Sequence, residues 1–225
     1  ESRFSILNGK LDGILSNKNN FVFPNIPLQS DTIETTQVRN FKQELKIPSN
    51  DHIFLYAGGM STKAFSVELI LSVFPYSAKD CHLVMVGSDD FLLLDQFTHK
   101  RIHWIIDPLS DEDLHSLIQQ STASIGFYSK VQDMEFAGKS SGKVMRSLMF
   151  YTPVIVPDFV SFQFVKDDGM GVLIEKPFQI NNAFETLKKQ RFRLQKNIKK
   201  NIHKYYFESY WKKFRDENGN ILLNK

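Results

Sequence analysis

The chain holds a single cysteine, Cys81, in 225 residues. That rules out an internal disulfide framework and points to a reducing, cytoplasmic compartment. Set between Asp80 and the apolar run 82–86, Cys81 reads as a small buried residue at a strand edge. Long apolar runs are missing as well: runs such as 91–94 and 154–156 fall far short of the ~20 residues a membrane helix needs. The six histidines (52, 82, 99, 103, 115 and 203) form no H-E-x-x-H arrangement, so no metal or other cofactor is expected. His103, beside Trp104, reads as a structural or ligand-rim histidine. The dinucleotide fingerprint G-x-G-x-x-G is absent where it would be sought, at Gly58-Gly59-Met60-Ser61-Thr62-Lys63. Gly138-Lys139-Ser140 ends like a P-loop, but its upstream glycine is Asp133, and there is no G-x-S-x-G elbow.

What is present is ordinary globular composition, 42% hydrophobic and 24% charged, enough for one sizeable core and unlike disordered or fibrous chains. The chain opens at Glu1 with neither an initiator methionine nor a basic-then-apolar leader, so a fragment of a longer protein without a signal peptide is expected. A net charge of +3 is too mild to imply nucleic acid. Its distribution is uneven: residues 188, 189, 191, 193, 196, 199, 200, 204, 212, 213 and 215 are Lys or Arg, against Glu208 alone from Lys188 to Arg215. A solvated helix face is the ordinary account. The sharper one is peripheral contact with anionic headgroups on the cytoplasmic membrane face, or with an acidic partner.

Strand-like and helix-like segments alternate. The runs 53–57, 82–86, 102–106, 123–127, 154–156 and 172–174 are almost wholly apolar, and the helical stretches between them include 62–74, with Phe65, Leu69, Ile70 and Val73 as its inner side, and a helix capped by Ser110 that buries Leu114, Leu117 and Ile118. Continuous apolar strands separated by helices predict an α/β fold, a doubly wound parallel sheet of Rossmann type. Ligands of such sheets bind beyond the carboxyl ends of the strands, which directs attention to the loops 58–63, 87–90, 107–109, 127–142 and 157–171. Two have phosphate chemistry. Gly58 and Gly59 uncover backbone amides beside Ser61, Thr62 and Lys63, and Ser140, Ser141 and Gly142 lead into a helix carrying Lys143. Two helix starts of this kind would hold a diphosphate through main-chain donors and one or two lysines.

The stretch from Ser141, S-G-K-V-M-R-S-L-M-F-Y-T-P-V-I-V, followed by 168–173, D-G-M-G-V-L, resembles the nucleotide-sugar loop of retaining GT-B glycosyltransferases, where N-K-L-x-E-x-x-x-x-G-x-P-V-I precedes G-x-G-x-L-V. Residues 55–61 are similar to the family's Y-x-G-x-L-S, 82–87 to L-x-I-V-G, 102–119 to V-x-F-x-G-x-V-S-D-E-E-L-x-x-L and 123–129 to A-D-x-x-I-x-P-S. Residues 21–26 resemble the interdomain I-P-N-G-V, and 206–211 the F-S-W-E region. The resemblance implies a remnant of an N-terminal domain and linker over 1–26, a nucleotide-sugar-binding domain over 27–197, and a crossover helix and tail over 198–225. It implies a donor-binding half of a hexosyltransferase-type enzyme of polysaccharide biosynthesis, passing sugar from a nucleotide diphosphate sugar to a glycan or lipid-linked acceptor held by the missing half, and inactive alone.

Carried over residue by residue, Gly58, Gly59, Ser61, Lys63, Ser140, Ser141, Gly142 and Lys143 would meet the donor phosphates. Ile106, Asp107, Pro108 and Leu109 would lie by the nucleobase, with Arg146 at the ribose. The family's paired glutamates fall on Gly138 and Arg146. Arginine can only donate where a carboxylate would accept from the ribose hydroxyls. Arg146 then either pairs with Asp133 or Glu135, contacts phosphate, or marks lost donor binding, and Arg146→Glu is expected to restore affinity if the ancestral geometry survives. The alternatives are a degenerate, non-catalytic glycosyltransferase-like subunit and a sugar-nucleotide epimerase, the latter lacking the further His and acidic residues it would need.

Overall fold

A computed structural model of the chain describes residues 28–29, 39–60, 67–88, 93–130 and 134–222. The expected linker at 21–26, the N-terminal remnant, and Ser61, Lys63, Phe65 and Asp133 lie outside them. The elements run α1 (Phe41–Glu44), β1 (His52–Ala57), α2 (Val67–Val73), β2 (Cys81–Val86), α3 (Leu93–Gln96), β3 (Ile102–Ile105), α4 (Asp111–Gln120), β4 (Ala123–Ile125), α5 (Gly142–Met149), β5 (Val154–Pro157), α6 (Gln163–Asp167), β6 (Gly171–Ile174), α7 (Ile180–Asn201) and α8 (Phe207–Leu222).

The strands form one parallel sheet in the order β3-β2-β1-β4-β5-β6. The expected doubly wound α/β fold is present. Side chains alternate across each strand, so β1 feeds two cores. Ile53 and Leu55 join Phe41, Leu117, Ile118, Val144 and Leu148 on one face, where α1, α4 and α5 pack. Phe54 and Tyr56 join Val67, Ile70, Leu71, Phe184 and Leu187 of α2 and α7 on the other. The rings of Phe54 and Phe184 stack at 3.8 Å between centroids, and both are fully buried.

Local signals account for much of this. The Ser110 hydroxyl accepts from the Asp113 amide at 3.1 Å and opens α4, as the sequence predicts. The inner side of α2 differs from the expected one: Leu69 is 47% exposed, while Val67, Ile70, Leu71 and Phe74 are buried. The expected start of the crossover at 198 falls inside α7, which continues to Asn201 before a short 3-10 turn and α8.

In this strand order β1 connects outward to β2 on one side and β4 pairs with it on the other, so the winding reverses between β1 and β4. The crevice outside their carboxyl ends is where an open α/β sheet takes its ligand.

Candidate functional site

Gly58 follows β1 at φ +134°, a conformation side chains rarely adopt, and hands its N–H to the Val86 carbonyl at 2.9 Å. Its uncovered backbone is where the second loop arrives. The aliphatic end of Lys143, the second residue of α5, passes over Gly58, so that a Cβ there would stand 3.5 Å from Lys143 Cε and 3.7 Å from Nζ. The ammonium is 3.2 Å from the Tyr56 hydroxyl, and lies 4.6 Å from the Tyr56 ring centroid and 5.0 Å from that of Tyr128. Tyr56 is the last residue but one of β1 and Tyr128 follows β4, so two rings at the winding reversal hold one cation between their faces. The Tyr56 hydroxyl in turn donates to the Gly59 carbonyl at 2.6 Å. Burial lowers Lys143 from its ordinary 10.5 to about 8 and pushes the Tyr56 phenol well up, keeping it a proton donor.

The loop before α5 is used differently from the expectation. The Ser140 and Ser141 amides donate to the Ala137 and Gly138 carbonyls at 2.8 and 3.1 Å, which leaves them unavailable to an anion. The Ser141 hydroxyl caps α5, accepting from the Val144 amide at 3.3 Å, and is hydrogen-bonded to the Tyr128 hydroxyl. It is buried. The start of the helix proper is one residue further on. Gly142 is exposed, with nothing within 4 Å of where a side chain would begin, and the amides of Gly142 and Lys143 precede the first intrahelical bond, Met145 to Ser141.

Ile106, Asp107 and Pro108 are exposed and Leu109 is half-buried, in the loop from β3 to the Ser110 cap. Arg146 reaches toward this loop from α5: its Nη1 is 3.0 Å from Asp111 Oδ1, in the first turn of α4. Among the described residues its partner is Asp111 and not Glu135, and Asp133 lies outside them. Arg146→Glu on its own would set two carboxylates face to face, so restoring an acceptor at this place also requires neutralising Asp111.

The motif residues 168–170 precede β6 and lie at the opposite end of the sheet from the crevice, because Gly171 opens the strand opposite Val154. Asp168 accepts from the Tyr205 hydroxyl at 2.6 Å and pairs with Lys204 at 3.0 Å, while Asn197 and Asn201 donate to the Gly169 and Asp168 carbonyls. This loop anchors the end of α7. His103 is likewise remote from the crevice. It lies 2.9 Å from His82 Nδ1, whose Nε2 is 3.0 Å from Asp51, all at the amino ends of the strands; it is a structural histidine, not one of the ligand rim.

Among the described residues, Asp80, Cys81 and Glu185 bring ligand-type atoms within 4.8 Å of one another. The Lys188 ammonium is 2.8 Å from both carboxylates and supplies the positive charge there. Cys81 is buried, and that burial pushes its thiol up to about 12.

Tyr56, Tyr128 and Asp111 are the site residues that sequence reasoning missed. For the tyrosines the available signal was position: each stands at the carboxyl end of a central strand, the register in which a parallel sheet presents side chains to a ligand.

Among solved structures the chain is similar to WaaG, a glycosyltransferase involved in lipopolysaccharide biosynthesis, at 13% identity and TM-score 0.63 over 88% of this chain and 56% of that one. It is similar to HepE of Anabaena in complex with UDP-glucose, at 9% identity and TM-score 0.67 over 87% and 56%. A third is a glycosyltransferase of Rickettsia africae ESF-5, at 12% identity and TM-score 0.68 over 89% and 57%. The chain has the fold of one half of a GT-B glycosyltransferase. It spans about half the length of the structures it matches. No family model matches the sequence, and no curated protein is close enough to count as a relative. Among the described residues, no helix is long and apolar enough to cross a membrane.

Proposed function

We propose that the chain is the nucleotide-sugar-binding half of a glycosyltransferase, and that the diphosphate of the donor lies in the crevice between Gly58 and the start of α5. The observation that carries this reading is Lys143 held over Gly58 between the rings of Tyr56 and Tyr128. A partly desolvated cation opposite glycine backbone suits two adjacent phosphates, with the Gly142 and Lys143 amides as further donors. The solved HepE complexes with UDP-glucose and UDP add weight by similarity of fold. Ile106, Asp107, Pro108 and Leu109 are the candidates for the nucleobase, with Arg146 and Asp111 beside the ribose.

Sugar transfer breaks the bond between the anomeric carbon and the terminal phosphate, leaving extra negative charge on the nucleoside diphosphate. The Lys143 ammonium and the dipole of α5 would stabilise that charge in a site shielded by two aromatic rings. The acceptor, a glycan or a lipid-linked glycan in polysaccharide biosynthesis, and hexosyl transfer to it, belong to a second half of the enzyme. A non-catalytic glycosyltransferase-like subunit is the competing reading, favoured by Arg146 standing where the family carries a glutamate.

Thermal unfolding with UDP, GDP and ADP separates the two. A ligand that binds only the folded state stabilises by about 2.7 kcal/mol at a hundredfold excess over Kd, which is about 5–10 °C for a domain of this size. One of the three nucleotides should raise the midpoint by that much. If none moves it, the chain is a scaffold and the donor site is lost.

A further inference from the structure

The basic run of α7 divides into two sets with different roles. Lys188 is committed to Asp80 and Glu185. Arg191 is turned inward, in line with the buried stripe of Leu187 and Leu194, and donates to the Ser121 carbonyl at 3.1 Å. Lys189, Arg193, Lys196, Lys199 and Lys200 remain exposed, and none is within ion-pair distance of a carboxylate among the described residues.

Four of the five form a line. Lys189, Arg193, Lys196 and Lys200 follow i, i+4, i+7 and i+11, which places them within about 60° of one another and along roughly 16 Å of helix. Neighbours of like sign at three- and four-residue spacing oppose helix formation. The fold therefore tolerates a repulsion that no carboxylate among the described residues relieves. Beside the line stands Phe192, 87% exposed, and the Lys199 ammonium lies 5.1 Å from the ring centroid of Tyr151, itself 38% exposed.

We infer that this face of α7 docks on an anionic lipid surface. Lysine and arginine meet phosphate headgroups there while the Phe192 ring enters the boundary with the acyl chains, the pattern of a helix lying in a membrane interface. A soluble polyanion would match the charges and leave the Phe192 ring in water. The orientation is compatible with the rest of the molecule. α7 starts beyond the carboxyl end of β6, and Asn197 reaches the Gly169 carbonyl ahead of that strand, so the helix runs antiparallel to β6. Its outer face lies along the flank of the sheet, and docking leaves the crevice at the carboxyl ends open.

Sedimentation of the full chain with vesicles tests the inference. It should pellet with phosphatidylcholine vesicles containing phosphatidylglycerol, stay in solution with phosphatidylcholine alone, and be released by salt. Lys196→Gln with Lys200→Gln should weaken binding about 25-fold, on the basis of roughly fivefold per basic residue near such a surface. Phe192→Ser should weaken it several-fold at every salt concentration. All three side chains are exposed, so unchanged unfolding midpoints confirm that the variants fold. Equal binding to both vesicle types, binding to neither, or a Phe192→Ser variant that binds like the parent chain would overturn it.

Discussion

Lys143 joins chemistry that the sequence separates by 87 positions. As an ammonium it is costly where it stands: desolvation lowers its pKa to about 8, so at neutral pH the folded state carries a charge it would shed more readily than the unfolded chain. A bound diphosphate favours the ammonium and raises that pKa, which couples binding to proton uptake. Above about pH 7, where the terminal phosphate of the nucleotide is fully ionised, affinity should accordingly hold up to about pH 8 and fall beyond it, by up to about tenfold per pH unit. Titration at several pH values in two buffers of different ionisation heat measures both the fall and the proton taken up. Lys143 was legible in the sequence because a lysine after Ser141-Gly142 at a helix start has a physical meaning by itself. The aromatic rings that enclose it were not, since nothing local to Tyr56 or Tyr128 says that β1 and β4 become neighbours. The same holds for Asp111: its role at the start of α4 could be read, but its pairing with Arg146 depends on how α4 and α5 pack.

Among elements, the strands were read well and the helix faces less well. A strand buried on both faces needs no phase assigned: all six residues of β2 are buried, and five of them are apolar. An amphipathic helix requires one, and α2 offers two that fit. The stripe of Leu69, Ile70 and Val73 is as apolar as that of Val67, Ile70, Leu71 and Phe74, and the packing of α2 against Phe54 and Phe184 selects the second. Glycines near β6 were also ambiguous. Gly169 and Gly171 fit a ligand-binding motif by spacing, yet Gly171 is needed because β6 approaches β5 closely: a Cβ there would stand 2.1 Å from the Val154 carbonyl oxygen. Backbone cannot yield as a flexible side chain can. Gly171→Ala should therefore destabilise the fold by about 3 kcal/mol or more, measured by urea unfolding, and a neutral result would mean that the β5–β6 register differs.

At the scale of the whole molecule, the strand order places the crevice at one end of the sheet and a group of histidines at the other. Burial, with His82 adding to it, lowers His103 from 6.5 to about 4, and burial lowers His52 and His99 as well. The unfolded chain then binds protons that the folded chain refuses. Stability is fully present above about pH 6.5 and is lost as pH falls toward 4, His103 alone contributing a slope of up to ~1.4 kcal/mol per pH unit. His103→Gln should flatten the acid limb of a midpoint-against-pH curve. An unaltered limb would show that His103 titrates normally in the fold.

Every part of the functional account depends on a diphosphate site built from Gly58 and α5. Calorimetric titration of a nucleoside diphosphate into the parent chain and into Lys143→Met addresses it most directly. Replacing a buried ammonium by an apolar chain of similar length should leave the unfolding midpoint unchanged or higher, so lost binding cannot be put down to lost structure. The parent chain is expected to bind at pH 7 and Lys143→Met to bind at least about tenfold more weakly, a charge-assisted hydrogen bond contributing ~1.5–3 kcal/mol. Equal affinity in the two proteins would contradict the account, as would the absence of binding to the parent chain by UDP, GDP and ADP alike.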